Sequence, residues 1–303
     1  MEIRSPIDIP ALNRFLESVN SYTVDLIFFP GGLQSIHHYT DLRGLQGIVD
    51  NHDLWLTNSR YSNDDEESTH GYEIVRELIK EELEKPNPPE RTDYLNELSR
   101  IFTTPPAEGV YICCFCEQDN LLSQWRSYGA NGTGVSISFN PAGFSYITGP
   151  DSPPSGLVRL WKVFYDRGVQ QSIVRSAIDF ALTDSPHKTI PERARQSADA
   201  IQFFIPTFKN QDFAEEKEIR LIFTPFPNSP AKSQFRIARN MLVPYYSLRE
   251  LTGSAVPHPL PITGVRVGPS INKALNVESA QMLLSKAGYL AAAVESSDTP
   301  YRG

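Results

Sequence analysis

Glu216, Glu218 and Arg220 sit at alternate positions ahead of and within the run KEIRLIF (217–223). In an extended strand, side chains two apart share a face, so these three line one side and Lys217, Ile219 and Leu221 the other. Such alternation describes a half-buried edge strand with a solvated Glu–Arg pair. It also describes a functional face, with Glu218 as an anchoring or catalytic carboxylate and Glu216 orienting or deprotonating an acceptor. Arg220 would then hold Glu218 ionised and turned. By the same alternation Glu215 falls on the opposite face and is expected to be dispensable.

Four further groups have chemistry-bearing types and spacing. His38 and Thr40 end the run LQSIHHYT and point the same way, a pair able to hold a ribose or an amide. The plainer alternative makes Thr40 a helix cap and His38 a hydrogen-bonded, half-buried imidazole. Trp125 and Tyr128, three apart in SQWRSY, share a helical face. They read as core, or, with Ser123 and Arg126, as a pocket for a flat ring with a polar edge. Asn63, Asp64, Asp65, Glu66 and Glu67 suit a helix N-terminus. They lack calcium-loop spacing, so no metal is proposed there. Cys113, Cys114 and Cys116 lie on one apolar strand and have no second pair to complete a zinc site. They are expected to be buried structural thiols with neither metal nor disulfide.

The elements that must position these residues follow from periodicity and punctuation. Strands are expected over YTVDLIFF and LQSIHHYT (20–40, around Pro30-Gly31-Gly32), DLWLT (53–57), GVYICCFCE (109–117), VSISF (135–139) and LVRLWKVFY (157–165). Further strands are KEIRLIF (217–223), a hairpin QFRIAR to MLVPYYSL (234–248), GVRVG (264–268) and YLAAAVESS (289–297). Helices are expected after Thr40 with Leu42, Leu45, Ile48 and Val49 on one face, and from Asp64–Glu67 to Glu84 on a stripe of Ile74, Val75, Leu78, Ile79 and Leu83. Others cover 92–102, 120–129, 169–182 and 191–208, and a last one is capped by Asn276 and closed by Gly288. Strands and helices do not alternate regularly, and no Gly-rich phosphate turn is present. The fold class is therefore α+β with a mixed, mostly antiparallel sheet and helical insertions. One domain over 1–303, with a core of about 20–302, is expected; the Pro/Ser/Gly loop at 149–156 is the alternative boundary.

Composition narrows the function classes. Of 303 residues, 40% are hydrophobic, with 16 Phe, 13 Tyr and 3 Trp, enough for a packed core rather than a disordered chain. No run reaches the ~20 apolar residues of a membrane span, and no secretory signal is read at the start. A net charge of −8 and a pI near 5.3 exclude non-specific coating of nucleic acid or anionic membrane, leaving room only for a local basic patch. Three clustered cysteines suit a reducing cytoplasm.

In order, the segments HYT-x6-GI, LWLT, ND-x2-E, LLSQWRSYG-x4-GVSISF, the Phe213 to Arg220 stretch and ESSDTPYR resemble the bacterial domain-of-unknown-function 2971 family over about residues 36–302. The His-x-Thr strand end, the following Gly-Ile helix and the Asn-Asp-x2-Glu segment also look like the front half of DNA-targeting ADP-ribosyltransferase toxins. Glu216-Lys217-Glu218 looks like the Glu-x-Glu pair of other ADP-ribosyltransferases. That second likeness implies a split antiparallel sheet clamping NAD as substrate, with ADP-ribose passed to a nucleic acid or protein acceptor, or NAD hydrolysed, in a toxin or phage-defence setting. It implies that His38 bonds a ribose of NAD, that Tyr128 or Trp125 stacks on the nicotinamide, and that Glu218 holds the nicotinamide-ribose hydroxyl. Tyr39, Thr40, Asn63, Asp64, Glu67, Ser123 and Arg126 complete the implied NAD site, with Glu216 and Arg220 beside Glu218. The alternative is a non-catalytic nucleotide-sensing or binding module of a bacterial stress or defence system.

Overall fold

The computed structural model describes residues 9–27, 33–61, 67–104, 109–145, 155–184, 187–226, 229–238, 240–252 and 259–300, without the side chains of 19–27, 67 and 68. Helices α1 (Ile9–Ile27), α2 (Leu42–Asn51), α3 (Glu67–Glu84), α4 (Pro89–Ile101), α5 (Leu122–Ser127), α6 (Arg167–Asp184), α7 (Ile190–Phe204), α8 (Leu248–Leu251) and α9 (Lys273–Lys286) surround one ten-stranded sheet. Its strands are β1 (Ile36–Thr40), β2 (Trp55–Asn58), β3 (Tyr111–Cys116), β4 (Val135–Phe139), β5 (Gly156–Lys162), β6 (Glu218–Pro225), β7 (Gln234–Ala238), β8 (Met241–Ser247), β9 (Ile262–Val267) and β10 (Ala293–Ser296). Among the described strands only β9 and β10 pair in parallel; the other strand pairs are antiparallel, as the sequence predicts.

The sheet forks at β3. One edge of β3 pairs along its whole length with β6, from Tyr111↔Phe223 to Cys116↔Glu218, and β6 pairs onward with β5. Two strands share the other edge. β2 takes Tyr111 and Ile112, and β1 takes Cys116 opposite His37. Continued inward, the β1 register would set Thr40 opposite Cys113, and the β2 register would set Leu56 there too. Two strands cannot fill one edge, because each spans the ~4.8 Å inter-strand spacing. They diverge instead, β1 toward β4, β9 and β10 and β2 toward β8 and β7, leaving Cys113–Phe115 at the fork.

Alternation then gives the sheet two unlike faces. Ile36, Cys113, Phe115, Ile137, Ile219 and Leu221 are buried on one, under Leu45 and Val49 of α2 and Ala280 and Leu284 of α9. Each fully buried aliphatic side chain contributes about 1.5–3 kcal/mol, so this layer fixes the register against a one-residue slip. A second core joins α1, α3, α4, α6 and α7 through Phe15, Val75, Tyr94, Leu98, Ile178 and Phe204. Arg159 of β5 ties that bundle to the sheet. It donates to the Phe203 carbonyl at 2.7 Å and lies 4.1 Å from the Phe203 ring centre, and burial pulls its guanidinium down to about 9.

Several expectations are corrected. Residues 20–27 continue α1 and form no strand, because a helix already nucleated by the Ala11, Leu12 and Phe15 stripe extends at little cost. The turn Pro30-Gly31-Gly32 lies outside the described residues. Asp41, not Thr40, caps α2, accepting from the Gly44 amide at 2.6 Å. Asn272, not Asn276, stands at the N-cap of α9. α3 keeps its stripe, with Ile74, Val75, Leu78 and Ile79 buried and Leu83 half-buried. Most of loop 149–156 lies outside the described residues, yet strands from both sides of it share the one sheet.

Candidate functional site

Cys114 stands at the centre of the fork. Its carbonyl faces the edge that β1 and β2 leave open, and His38 Nδ1–H donates to it at 2.8 Å. A carbonyl only accepts, so this bond fixes the tautomer and leaves His38 Nε2 as an acceptor. Burial lowers the His38 pKa, outweighing the Cys114 carbonyl bond, and the ring is neutral at pH 7. The Phe115 ring holds it edge-on at 5.9 Å.

The Cys114 side chain emerges on the face opposite Cys113 and Phe115. It was expected to be buried; it is exposed, whereas Cys113 and Cys116 are buried. Desolvation and the Glu218 carboxylate push the thiol well above its ordinary value, so it remains protonated and donates to Glu218. A thiol in that state is a poor nucleophile.

Glu218 opens β6 beside it, 7% exposed. Arg220 grips it with both prongs, Nε to Oε1 and Nη2 to Oε2, each at 2.8 Å, and Lys209 Nζ adds a third contact at 3.1 Å. Burial raises the Glu218 pKa while the Lys209 charge and Cys114 thiol oppose it. With two cations in contact, the carboxyl is ionised at neutral pH. Burial pulls Lys209 down, but Glu218 and Glu216 outweigh it and its net shift is upward. Lys209 also bonds Glu216 and lies 5.0 Å from the Phe213 ring centre.

Lys217 explains how Glu216 and Glu218 meet. It adopts a left-handed conformation (φ 46°) at the end of the 3₁₀ turn Gln211–Glu216, so strict strand alternation begins only at Glu218. Glu216 remains at the mouth, half-buried, within 3.4 Å of the Tyr128 hydroxyl that donates to it. Tyr128 is 39% exposed, and burial and the Glu216 charge raise its pKa. Glu215 is exposed and has no part in the Glu216–Lys209–Glu218 network. Tyr165 completes the group by accepting the Glu218 amide at 2.9 Å.

The remaining expected site residues fall elsewhere. Trp125 is 0% exposed and packs edge-on against Tyr39 at 4.8 Å, so neither ring offers a face to a ligand. The Tyr39 hydroxyl is spent on the Gln118 carbonyl and the Leu121 amide, at 2.8 and 2.9 Å. Trp125 Nε1 donates to Asn120, which also accepts from Ser297 and Thr299 and donates to Asp298. The ESSDT segment is thus a clamp that seats α5 and, through it, Tyr128. Thr40 and Ser123 are half-buried and Arg126 is exposed. Asn63, Asp64 and the Glu67 side chain lie outside the described residues.

Sequence reasoning missed Lys209, Cys114, Tyr165 and Trp55. The exposed indole of Trp55 (46%) carries a signal that was available, an aromatic inside a short strand whose apolar neighbours Leu54 and Leu56 are buried. Lys209 offers none, because its partners lie seven and nine residues away across a turn. Among the described residues, no group of three or more His, Cys, Asp and Glu is arranged to hold a metal ion, and no helix is long and apolar enough to cross a membrane.

No curated protein and no solved structure matches the chain significantly. Residues 124–221, which carry Trp125, Tyr128, Lys209, Glu218 and Arg220, match the model of the family described as protein of unknown function (DUF2971), confirming over that segment the family read from the sequence.

Proposed function

We propose that the fork is a nucleotide cleft and that the protein is an NAD-dependent, ADP-ribosyltransferase-like enzyme, acting on a nucleic acid or protein acceptor or hydrolysing NAD. One observation carries this reading: His38 and Glu218, 180 positions apart, both bond Cys114, His38 at the carbonyl from the Cys113–Phe115 face and Glu218 at the thiol on the opposite face, so they meet at the fork and not, as expected, on one face of the sheet. Breaking an N-glycosidic bond develops positive charge at the anomeric carbon, and a nearby carboxylate in an enclosed site stabilises it. Glu216, half-buried at the mouth, is the carboxylate suited to that contact. Glu218, saturated by Arg220 and Lys209, is a positioning residue that holds Lys209 and, through it, Glu216. His38 Nε2 is an acceptor for a ribose hydroxyl at the fork, and the exposed Tyr128 ring, beside Glu216, is the flat surface in place of Trp125. Incubating the protein with labelled NAD, with and without candidate acceptors, tests the reading against a Glu216→Gln variant. Loss of label release in the variant supports it.

One feature favours the second reading, a nucleotide-binding module without turnover. Glu216, Glu218, Lys209 and Arg220 form a charge-balanced cluster that braces the fold without any ligand. Saturable NAD binding with no release of nicotinamide from the parent protein selects that reading.

A further inference from the structure

On the other branch of the fork, β2 carries Trp55, the exposed one of the three tryptophans. Continued past Ile112, the β2 register brings Trp55 level with Cys114, on the same face as Glu218. The indole is held from below by Tyr245, stacked at 4.4 Å and 27°, and Tyr245 is fixed by its hydroxyl donating to Gln234 at 2.7 Å. Arg236 lies 5.7 Å from the indole centre with Nη2 tied to Thr57 at 3.1 Å. Its Nε is buried and has no hydrogen-bond partner among the described residues.

From this geometry we propose that Trp55 and Arg236 form a subsite for the purine ring of a nucleotide. A pre-stacked, half-exposed indole offers a planar ring an immobile surface, so little entropy is lost on stacking. The guanidinium beside it decides which ring. Its charge repels a cationic pyridinium and suits a neutral ring whose edge carries acceptors for the guanidinium's N–H groups. A purine meets both conditions and covers more of the indole than a pyrimidine does. A long polyanion is disfavoured by the net charge of −8, which points to a single nucleotide. The inference concerns binding alone and stands whether or not NAD is cleaved.

The test titrates AMP, NAD, UMP and nicotinamide mononucleotide into the full-length protein, followed by calorimetry and indole fluorescence. AMP is expected to bind and quench the exposed indole, with UMP and nicotinamide mononucleotide weaker by about ten-fold or more. Trp55→Ala is expected to lower AMP affinity by about ten-fold or more, the weight of a base–aromatic stack, while Trp55→Phe keeps most of it. Arg236→Ala, with Trp55 intact, should weaken AMP and narrow the preference over nicotinamide mononucleotide. Mutual displacement of AMP and NAD assigns the purine to the dinucleotide; NAD binding that survives Trp55→Ala assigns it to a separate nucleotide. Parent-like AMP binding by folded Trp55→Ala protein overturns the subsite. So does equal affinity for all three mononucleotides, or no AMP binding to the parent protein.

Discussion

His38 donates from Nδ1 to the carbonyl oxygen of Cys114 at 2.8 Å, and in doing so satisfies a backbone acceptor that neither β1 nor β2 reaches. The bond has a structural and a chemical consequence. It closes the fork at one point, and it turns the free Nε2 lone pair into the imidazole's only acceptor.

His38→Ala should therefore act on both counts. Removing the donor leaves the Cys114 carbonyl to water, at a cost of about 0.5–1.5 kcal/mol in thermal or chemical unfolding. NAD affinity should fall as well. His38→Asn, whose amide can still donate to that carbonyl, should recover part of the stability; calorimetric titration beside each melting curve separates the two effects.

Glu216 and Glu215 make a sharper pair. Glu216→Gln keeps the size and the Tyr128 contact but removes the charge, so NAD cleavage should drop by about 10²–10³-fold in kcat. Glu215→Gln, at an exposed position outside the network, should cleave at the parent rate. Equal rates for all three proteins would remove Glu216 from the chemistry.

Arg220 tests the supporting layer. Arg220→Ala leaves Glu218 buried with one of its two cations, and a broken buried pair costs about 3–5 kcal/mol. Arg220→Lys should not restore the parent midpoint in urea, because an ammonium cannot span both oxygens as the planar fork does.

His37 predicts an acid-sensitive fold. It is 7% exposed, hydrogen-bonded to Ser35 and Ser138, and pulled down to about 4 by burial, with Arg266 reinforcing the fall and Asp119 opposing it. A folded-state pKa below the ordinary 6.5 means that protons bind the unfolded chain more tightly. The stabilisation is complete above pH 6.5 and is lost as pH falls through 6.5 toward 4, by up to about 3 kcal/mol. His38, also lowered, adds a slope of the same sign. Melting curves at pH 7, 5.5 and 4.5 should show the loss, and His37→Gln should show a smaller one.

Cys114 provides a chemical probe of the same network. Its exposed but protonated thiol should react slowly with maleimide at pH 7.5, while buried Cys113 and Cys116 stay silent in the folded protein. Glu218→Gln removes the neighbouring negative charge and should speed labelling of Cys114, read by mass spectrometry of the modified peptide.

What the sequence determined by itself was local and periodic. Alternation in VSISF and KEIRLIF, the stripe on α3 and the 234–248 hairpin are set by neighbours within a few residues, and so is the antiparallel character of the sheet. The residue types of the candidate site were legible for the same reason, since His38, Glu216, Glu218 and Arg220 end or begin strands. Competition between distant segments decided the rest. The fork exists because β1 and β2 claim one edge of β3, a conflict between residues 36–40 and 55–58 that no window of sequence contains. That conflict exposes Cys114 in mid-sheet. The turn after α7 brings Lys209 between two carboxylates, and the Asn120 clamp to the 297–299 segment buries Trp125 while Tyr128 and Trp55 stay exposed. Burial and charge pairing are sums over all neighbours in space, and only the tertiary structure supplies those neighbours.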